Sequence, residues 1–330
     1  MKSLKESFKN KKILIIGDVM IDAYIWGHVD RISPEAPVPV VSVQKRESRM
    51  GGAANVAMNI QVFGSTPVLA SVIGNDEQAV LFEKILKENN MPSDGLLKNE
   101  TRKTTTKFRI IGNNMQMLRV DDETDSALSE KLQSEFISHI TSLFKKYNFD
   151  AIIFEDYDKG VVFEKLIETV VNEAKEKKIP VLVDPKKRNF NSYKNITVFK
   201  PNLKELKDAL NTELPNDIEG LAACCEDFRV KQNIDCLQLT LGERGMLICY
   251  NENNKAKYMH IPSRVRKVAD VSGAGDTVIS VSSLAISSGL TLTEMAEISN
   301  IAAGIVCEHV GVVPVDIPKF WQSLESINFR

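Results

Sequence analysis

Long apolar runs are missing from this sequence, and their absence limits the classes of protein to which it can belong. No apolar stretch approaches the roughly 20 residues that a membrane-spanning helix needs. The basic N-terminal segment is followed by an apolar run of residues 13–16 only, which is too short for a secretory signal peptide. We therefore expect a cytoplasmic protein with no membrane partner.

Cysteine is also scarce, and no charge of one sign dominates. The chain has 5 cysteines in 330 residues and no CxxC pair, which argues against a disulfide framework or a zinc knuckle and favours a reducing compartment. Lys and Arg total 42 against 44 Asp and Glu, a net charge of -2. This balance predicts no nucleic-acid partner and favours a small molecule.

Two common nucleotide-binding patterns are absent as well. The sequence contains neither GxxxxGK[ST] nor a well-formed GxGxxG after its first predicted strand, so ordinary P-loop and Rossmann readings lose support. Short apolar runs instead alternate with helical patterns along most of the chain. This alternation predicts an α/β fold whose mostly parallel sheet is covered by helices on both faces. The helical patterns lie at 77–89, 128–147, 161–178, 203–211, 217–231, 274–288 and 293–309.

Two regions interrupt this rhythm. Residues 23–46 and 101–121 are β-branched, alternating or Pro-rich, and a turn is expected at Gly112-Asn113-Asn114. We expect them to form a small antiparallel sheet that projects from the main layer as a lid. With no linker or internal repeat, residues 1–330 are interpreted as one domain.

The stretch DVSGAGDT places two glycines just before an aspartate where a helical pattern begins. Backbone N–H groups of Gly273, Ala274 and Gly275 at a helix N-terminus would form an anion site. Asp276 would repel a bound phosphate unless it has another task, such as accepting a proton from an attacking hydroxyl. Phosphoryl transfer needs this combination. A glycine-rich loop with a helix-stabilising aspartate is the alternative.

Two segments carry a resemblance to a known family. DVSGAGDT closely resembles the C-terminal signature of the ribokinase-like (PfkB) carbohydrate kinases, although Ser272 replaces the commoner threonine, and RMGGAANVAMNIQVFG resembles their N-terminal signature. GDVMIDAYIWG and DRISPEAPVPVV further resemble the heptose 7-phosphate kinases of this family. The likeness covers residues 13–315. It implies a three-layer α/β/α fold, with Asp276 as general base and residues 273–275 as the anion hole for the γ-phosphate.

The resemblance also implies residues that contact the sugar. Asp22 matches the position that binds sugar hydroxyls, with a turn carboxylate as the alternative. Gly51, Gly52 and Asn55 match residues that let the backbone approach the sugar and hydrogen-bond it, and the same glycines could serve only close packing of a helix start. Asp156, Lys159 and Lys186 could serve either the sugar or the phosphates.

The nucleotide side is assigned in the same way. Asn202 and Glu205 match an Asn-x-x-Glu element associated with Mg²⁺ through water, and they equally fit a helix capping box. The TLGERG segment matches the nucleotide loop or a hairpin turn. The remaining positions assigned to ATP binding are Thr240, Gly242, Gly245, Asn300 and Ala303.

The predicted lid supplies a candidate clamp for a substrate phosphate. Lys107 and Arg109 share one face by strand alternation, and Arg119 lies on the strand expected to pair with theirs. Cationic side chains of this kind hold phosphate by charge-assisted hydrogen bonds. The alternative is a charged edge that opposes aggregation.

Together with these residues, the resemblance implies an ATP- and Mg²⁺-dependent kinase that phosphorylates the anomeric hydroxyl of D-glycero-β-D-manno-heptose 7-phosphate. The resemblance admits a monovalent cation such as K⁺ and implies a homodimer through the lid. The chain lacks the HxGH motif of a nucleotidyltransferase, so a separate protein is expected for that later step. The alternatives are a kinase of the same fold acting on ribose, fructose, a fructose phosphate or adenosine, and a non-catalytic sugar or nucleotide sensor.

Overall fold

Apolar side chains alternate between two faces along the first strand, β1 (Lys12–Gly17). Ile13 and Ile15 join one buried core, whereas Leu14 and Ile16 join a second. A strand that is apolar on both sides must be covered on both sides. The computed structural model, which describes residues 2–263, 269–327 and 329, shows such a strand in the interior of a large sheet.

Within the described residues, nine strands form this sheet, and most of their pairings are parallel. The pairings of β11 with β12 and of β12 with β13, at one edge, are antiparallel. Their spatial order is β13 (Lys255–Ile261), β12 (Met246–Glu252), β11 (Cys236–Thr240), β10 (Val198–Phe199), β9 (Val181–Asp184), β8 (Ala151–Glu155), β1, β4 (Thr66–Gly74) and β5 (Leu96–Asn99).

Helices cover both faces and complete three layers. One face packs against α1 (Lys2–Ser7), α2 (Ala53–Val62), α3 (Glu77–Glu88), α8 (Ala274–Ser287), α9 (Leu292–Val306) and α10 (Ile317–Ser326). The other packs against α4 (Glu130–Lys146), α5 (Glu164–Lys177), α6 (Leu203–Leu210) and α7 (Ile218–Gln232). The predicted α/β architecture is confirmed, and within the described ranges no helix is both long and apolar enough to cross a membrane.

A second sheet of four strands corresponds to the predicted lid. Its order is β3 (Pro39–Gly52), β2 (Val19–Ile32), β6 (Thr106–Gly112) and β7 (Met115–Asp122). The pairs β2–β3 and β6–β7 are antiparallel, as expected, while β2 and β6 pair in parallel. Asn113 and Asn114 make the turn before β7 with φ of 51° and 64°, values that asparagine tolerates better than most residues.

Candidate active site

The carboxyl ends of the parallel strands open into a cavity of about 580 Å³. Ligand sites in open α/β sheets form at this edge because the loops that follow the strands converge there. The cavity brings together most of the residues expected at the nucleotide and phosphate positions. Those lining it are Lys186, Asn202, Glu205, Thr240, Gly242, Gly245, Gly273, Ala274, Gly275, Asp276, Asn300 and Ala303.

The start of α8 has the backbone geometry that the glycine-rich sequence predicts. Gly273 is its N-cap residue, with φ of 80° and no side-chain cap. A Cβ atom there would lie 2.9 Å from Nδ2 of Asn55, so both the backbone angle and the space require glycine. The first turn of α8 lines the cavity and is a kind of helix end that can bind an anion, although the Ala274 N–H donates to the Val271 carbonyl oxygen at 3.2 Å.

Asp276 lies in the first turn of α8 and is 5% exposed. Nδ2 of Asn55 donates to its Oδ2 at 2.6 Å, and the Tyr157 hydroxyl donates to its Oδ1 at 2.8 Å. Burial raises the pKa of Asp276, the hydrogen bond from Asn55 lowers it, and the charge of Asp184 raises it, with a net increase. A carboxylate held by two donors and with a raised pKa is suited to accept a proton.

Two further carboxylates lie beside Asp276. Oxygen atoms of Glu155, Asp184 and Asp276 all lie within 4.8 Å of one another. Among the described residues, neither buried carboxylate oxygen of Glu155 has a hydrogen-bond partner. Burial, followed by the charges of Asp184 and Asp276, raises the pKa of Glu155 well above the usual value. A buried carboxylate with no partner at a cluster of hard oxygen ligands fits a divalent cation.

Two lysines partly neutralise this cluster. Lys200, only 2% exposed, contacts Oδ2 of Asp184 at 2.7 Å. Lys186 forms an ion pair with Glu205 and lies 4.0 Å from Oδ1 of Asp184. Burial lowers the pKa of both lysines, but the carboxylates of Asp184, Glu205 and Glu155 together outweigh burial, and the net pKa is raised. Both ammonium groups therefore remain charged at the edge of the anion site.

Asn202 and Glu205 form the capping box that the sequence allowed. Oδ1 of Asn202 accepts from the Glu205 backbone N–H, and Oε2 of Glu205 accepts from the Asn202 backbone N–H, each at 2.8 Å. Both residues also line the cavity. The capping role does not exclude a nucleotide role, because the cap presents the start of α6 to the cavity.

The TLGERG segment is a tight connection between antiparallel strands as well as part of the cavity wall. Gly242 and Gly245 have φ of 60° and 90°, and a Cβ atom on Gly245 would lie 2.1 Å from the Ile261 carbonyl oxygen. Asn300, 7% exposed, donates to the Pro262 carbonyl at 3.0 Å. The geometry of this turn therefore accounts for both glycines, and the turn lies where the nucleotide loop was predicted.

The expected sugar-contacting residues gather where the lid meets the main sheet. Asp22 pairs with Arg109, and the two join β2 to β6. A Cβ atom on Gly51 would lie 2.4 Å from Oδ2 of Asp22, so glycine leaves room for this carboxylate. Gly52 has φ of 57° and caps α2, and Asn55 in the first turn of that helix turns toward Asp276.

The predicted basic residues of the lid lie on one face, each next to carboxylates. Lys107 pairs with Asp121 and Glu123 at 3.2 and 3.1 Å. Arg119 lies directly opposite Arg109 in the β6–β7 ladder and holds Asp121 at 2.7 and 2.6 Å. This face carries both signs of charge rather than a purely cationic clamp.

Sequence reasoning missed one cation of this region. Arg49 lies opposite Asp22 in the β2–β3 ladder. Its guanidinium stacks 4.9 Å from the ring centre of Tyr24, and Arg109 approaches the same ring at 5.4 Å. Two guanidinium groups therefore flank one tyrosine beside Asp22, a contact between strands distant in sequence.

Asp156 and Lys159 have structural partners outside the cavity lining. Asp156 is 1% exposed and accepts from Nδ2 of Asn189 at 2.9 Å and from the Tyr193 hydroxyl at 3.1 Å. Burial, followed by the nearby charge of Asp18, raises the pKa of Asp156 to about 6. Lys159 pairs with Glu123 near the lid.

Other site residues were also missed. Glu155, Asp184 and Lys200 occupy strand ends whose polarity the sequence displayed, so position alone could have identified them. Tyr157 had no such signal, because its role depends on the loop after β8. Asp18 orders that loop by accepting from the backbone N–H groups of residues 157, 159 and 161 at 2.9, 3.2 and 3.2 Å.

Comparison with known proteins agrees with this geometry. A model of the pfkB family carbohydrate kinases matches residues 10–319. The chain is 37% identical over 320 residues to the bifunctional protein HldE of Aliarcobacter butzleri, an alignment that covers 97% of this chain and 66% of that relative. The chain thus spans just under two thirds of that relative's length.

Solved structures share the fold at lower sequence identity. Phosphofructokinase-2 from Escherichia coli in complex with potassium gives a TM-score of 0.78 at 16% identity, covering 97% of this chain and 99% of that one. Ribokinase from Arabidopsis thaliana, complexed with ribose and ATP, gives 0.69 at 16% identity, covering 96% and 99%. The ribokinase-like fold predicted from the sequence is confirmed.

Proposed function

Because the chain belongs to the pfkB family of carbohydrate kinases, we propose that this ATP-dependent sugar kinase phosphorylates the anomeric hydroxyl of D-glycero-β-D-manno-heptose 7-phosphate. The product would be the 1,7-bisphosphate, a precursor for lipopolysaccharide. The observation that carries the chemistry is the placement of buried Asp276 in the first turn of α8, at a helix start that no side chain caps among the described residues. The sequence likeness of residues 13–315 to heptose 7-phosphate kinases supports the choice of sugar.

Asp276 would act on the proton of the attacking hydroxyl. Its raised pKa and its two donors, Asn55 and Tyr157, support this role. Each carboxylate oxygen can accept a second hydrogen bond, so the sugar hydroxyl can bind without displacing either donor. As the hydroxyl oxygen attacks the γ-phosphorus, its proton passes to Asp276 and the bond to the β-phosphate oxygen breaks to release ADP.

The N–H groups of residues 273–275 would hold the transferred phosphoryl group. Lys200 lies close to Gly275: a Cβ atom placed on this glycine would lie 3.3 Å from the Lys200 Nζ. With Lys186 it supplies fixed positive charge where negative charge is transferred. Thr240, Gly242, Gly245, Asn300 and Ala303 would form the remainder of the ATP site.

The carboxylate cluster fits Mg²⁺, which prefers oxygen ligands and several waters. Glu155 and Asp184 would hold the ion, because the oxygens of Glu155 have no hydrogen-bond partner in the part of the chain that the structure describes, whereas those of Asp276 already accept hydrogen bonds. Glu205 would act on the ion through water. Its carboxylate pairs with Lys186, whose ammonium nitrogen also lies 4.0 Å from Asp184. When bound, Mg²⁺ supplies charge neutralisation for the phosphates of ATP. A monovalent cation such as K⁺ belongs to the same proposal.

The sugar would lie between the lid and α8. Asp22, Gly51, Gly52 and Asn55 would contact its hydroxyls. The 7-phosphate would be held by the basic face of the lid, which carries Lys107, Arg109, Arg119 and also Arg49. Each of these cations already pairs with a carboxylate of the protein. A substrate phosphate would therefore have to replace existing ion pairs, and this competition favours selective binding.

The lid also supports a homodimer. Its strands expose large apolar side chains, with Val43, Leu118 and Val120 between 45% and 54% exposed. An apolar surface on a projecting sheet is a common subunit contact. We propose a cytoplasmic enzyme in which residues 1–330 form one domain. Asp156 and Lys159 would shape the loop beside the substrate.

The test is ADP release from ATP and Mg²⁺ with heptose 7-phosphate, fructose 6-phosphate, ribose, fructose, adenosine or no sugar. We expect a clear preference for heptose 7-phosphate, with phosphorus NMR showing a second phosphate on the anomeric carbon. Preference for a neutral sugar would contradict the phosphate clamp and favour another kinase of the fold. Absence of sugar-dependent turnover would contradict the kinase assignment and favour a sensor.

A further inference from the structure

The side chain of Asn55 can present either of two groups to Asp276, and the choice matters for a base. An amide rotated by 180° occupies nearly the same space but exchanges a donor nitrogen for an acceptor oxygen. In the structure Nδ2 of Asn55 lies 2.6 Å from Oδ2 of Asp276. The reversed amide would place a carbonyl oxygen against the carboxylate and would repel it.

A backbone group determines which orientation is present. The N–H of Val315 donates to Oδ1 of Asn59 at 3.1 Å. Because a backbone N–H can only donate, the Asn59 atom that faces it must be the oxygen. The nitrogen of Asn59 therefore points the other way, toward Asn55.

The next contact transmits this choice. Nδ2 of Asn59 donates to the backbone oxygen of Asn55 at 3.1 Å and to its side-chain Oδ1 at 3.4 Å. The two asparagines are four positions apart on α2, so they lie on one face of that helix. Since Oδ1 of Asn55 accepts from Asn59, its nitrogen is left to face Asp276.

Burial makes this arrangement costly to reverse. Asn55 is 1% exposed and Asn59 is fully buried, so water cannot readily replace a lost partner. If the Asn55 amide were reversed, its nitrogen would face the donor nitrogen of Asn59 and its oxygen would face the acceptor oxygen of Asp276. Both hydrogen bonds would be lost. Asn59 contacts neither Asp276 nor the cavity among the described residues, so it lies behind the site.

We propose that Asn59 is a positioning residue: oriented by the Val315 N–H, it fixes the amide of Asn55 and thereby holds the Asp276 carboxylate in line with the sugar hydroxyl. The inference rests on the proposed role of Asp276 as general base. It adds to that role a buried relay of four residues, from Val315 after α9, through Asn59 and Asn55 of α2, to Asp276 in the first turn of α8. Asn59 itself takes no part in binding or proton transfer.

A double-mutant cycle tests the relay. Asn59→Leu keeps the volume but removes the amide, and we expect kcat to fall about tenfold or more while the KM values for ATP and sugar stay within about twofold. In an Asn55→Ala background the same substitution should have almost no further effect on kcat, because the partner through which it acts is gone. Ser282→Ala is the matched control, since Ser282 is buried on α8 and bonds Gln238 rather than Asp276.

Two results would overturn the relay. One is a kcat for Asn59→Leu within about twofold of the wild-type value, and the other is a double variant whose loss is the product of the single losses. If Asn59→Leu does not fold, as judged by its melting transition, Asn59→Ala takes its place in the cycle. The base assignment fails separately if Asp276→Asn retains turnover, whatever the cycle gives.

Discussion

The Tyr157 hydroxyl donates to Oδ1 of Asp276 at 2.8 Å, and the ring that carries it lies 5.2 Å from the ammonium nitrogen of Lys186. One side chain thus contacts the proposed base and a cation at the phosphate site. The loop that holds Tyr157 is fixed by Asp18, which accepts from its backbone N–H. Tyr157 is therefore placed to orient Asp276 without reacting itself.

Replacing Tyr157 by phenylalanine should lower kcat by about tenfold while the KM values for both substrates change little, because only orientation of the base is lost. Steady-state kinetics under saturating ATP measure this. Tyr147→Phe is the control, since its hydroxyl bonds Asp94 elsewhere and its loss should leave kcat unchanged. If Tyr157→Phe and Tyr147→Phe had the same kinetics, the orienting role proposed for Tyr157 would be contradicted.

Arg109 should determine recognition of a phosphorylated sugar. It pairs with Asp22 and approaches the Tyr24 ring. Arg109→Ala is expected to raise the KM for the sugar phosphate by about tenfold or more, with the KM for ATP nearly constant, because a charge-assisted contact is lost. Lys103→Ala, which removes an exposed cation near the same sheet, is the control. A rise in both KM values alike would indicate general damage to the lid.

Glu155 should matter for the metal rather than for the sugar. Glu155→Gln keeps the shape and removes the charge of a buried carboxylate that has no hydrogen-bond partner. We expect the Mg²⁺ concentration for half-maximal activity to rise by about tenfold or more, because an anionic oxygen ligand is lost. Glu226→Gln, whose carboxylate pairs with Arg229 on α7, should leave the titration unchanged. An unaltered Mg²⁺ dependence in Glu155→Gln would contradict the assignment.

Asn202 allows its capping and nucleotide roles to be separated. Asn202→Ser retains an N-cap acceptor, so the free energy of unfolding should change by less than about 0.5 kcal/mol, whereas Asn202→Ala should lose about 1 kcal/mol. If the amide also serves ATP, both variants should raise the KM for ATP severalfold. Urea unfolding and steady-state kinetics on the same preparations give both quantities. Wild-type kinetics for Asn202→Ser would contradict a nucleotide role and leave Asn202 with its helix-capping role alone.

Much of the fold followed from patterns that the sequence shows directly. The seven predicted helical segments correspond to α3 through α9, and in α3, α4 and α5 the polar and apolar faces alternate with helical period. Helix α2 was harder to predict: seven of its residues, from Ala53 to Ile60, are buried, so no polar face marks it. The parallel pairing of β2 with β6 was not predicted either, since a turn signal reports only on neighbouring strands.

The site was predictable where one local motif carries it and less so where distant segments meet. DVSGAGDT identified Asp276 and its glycines before any geometry was known. Tyr157 and Asn59 could not be recognised in the same way, because Tyr157 reaches α8 from the loop after β8, and Asn59 connects Asn55 to the distant Val315. Arg49 is a similar case, since its stacking on Tyr24 depends on strand register.

The measurement that tests the account most directly is the turnover of Asp276→Asn. The amide can keep both neighbours, because its oxygen can accept from Asn55 and its nitrogen can donate to the rotated Tyr157 hydroxyl. We predict near-complete loss of kcat, about a thousandfold or more, with ATP and sugar binding by calorimetry largely retained. Turnover within about tenfold of the wild-type value would contradict the assignment of Asp276 as the general base.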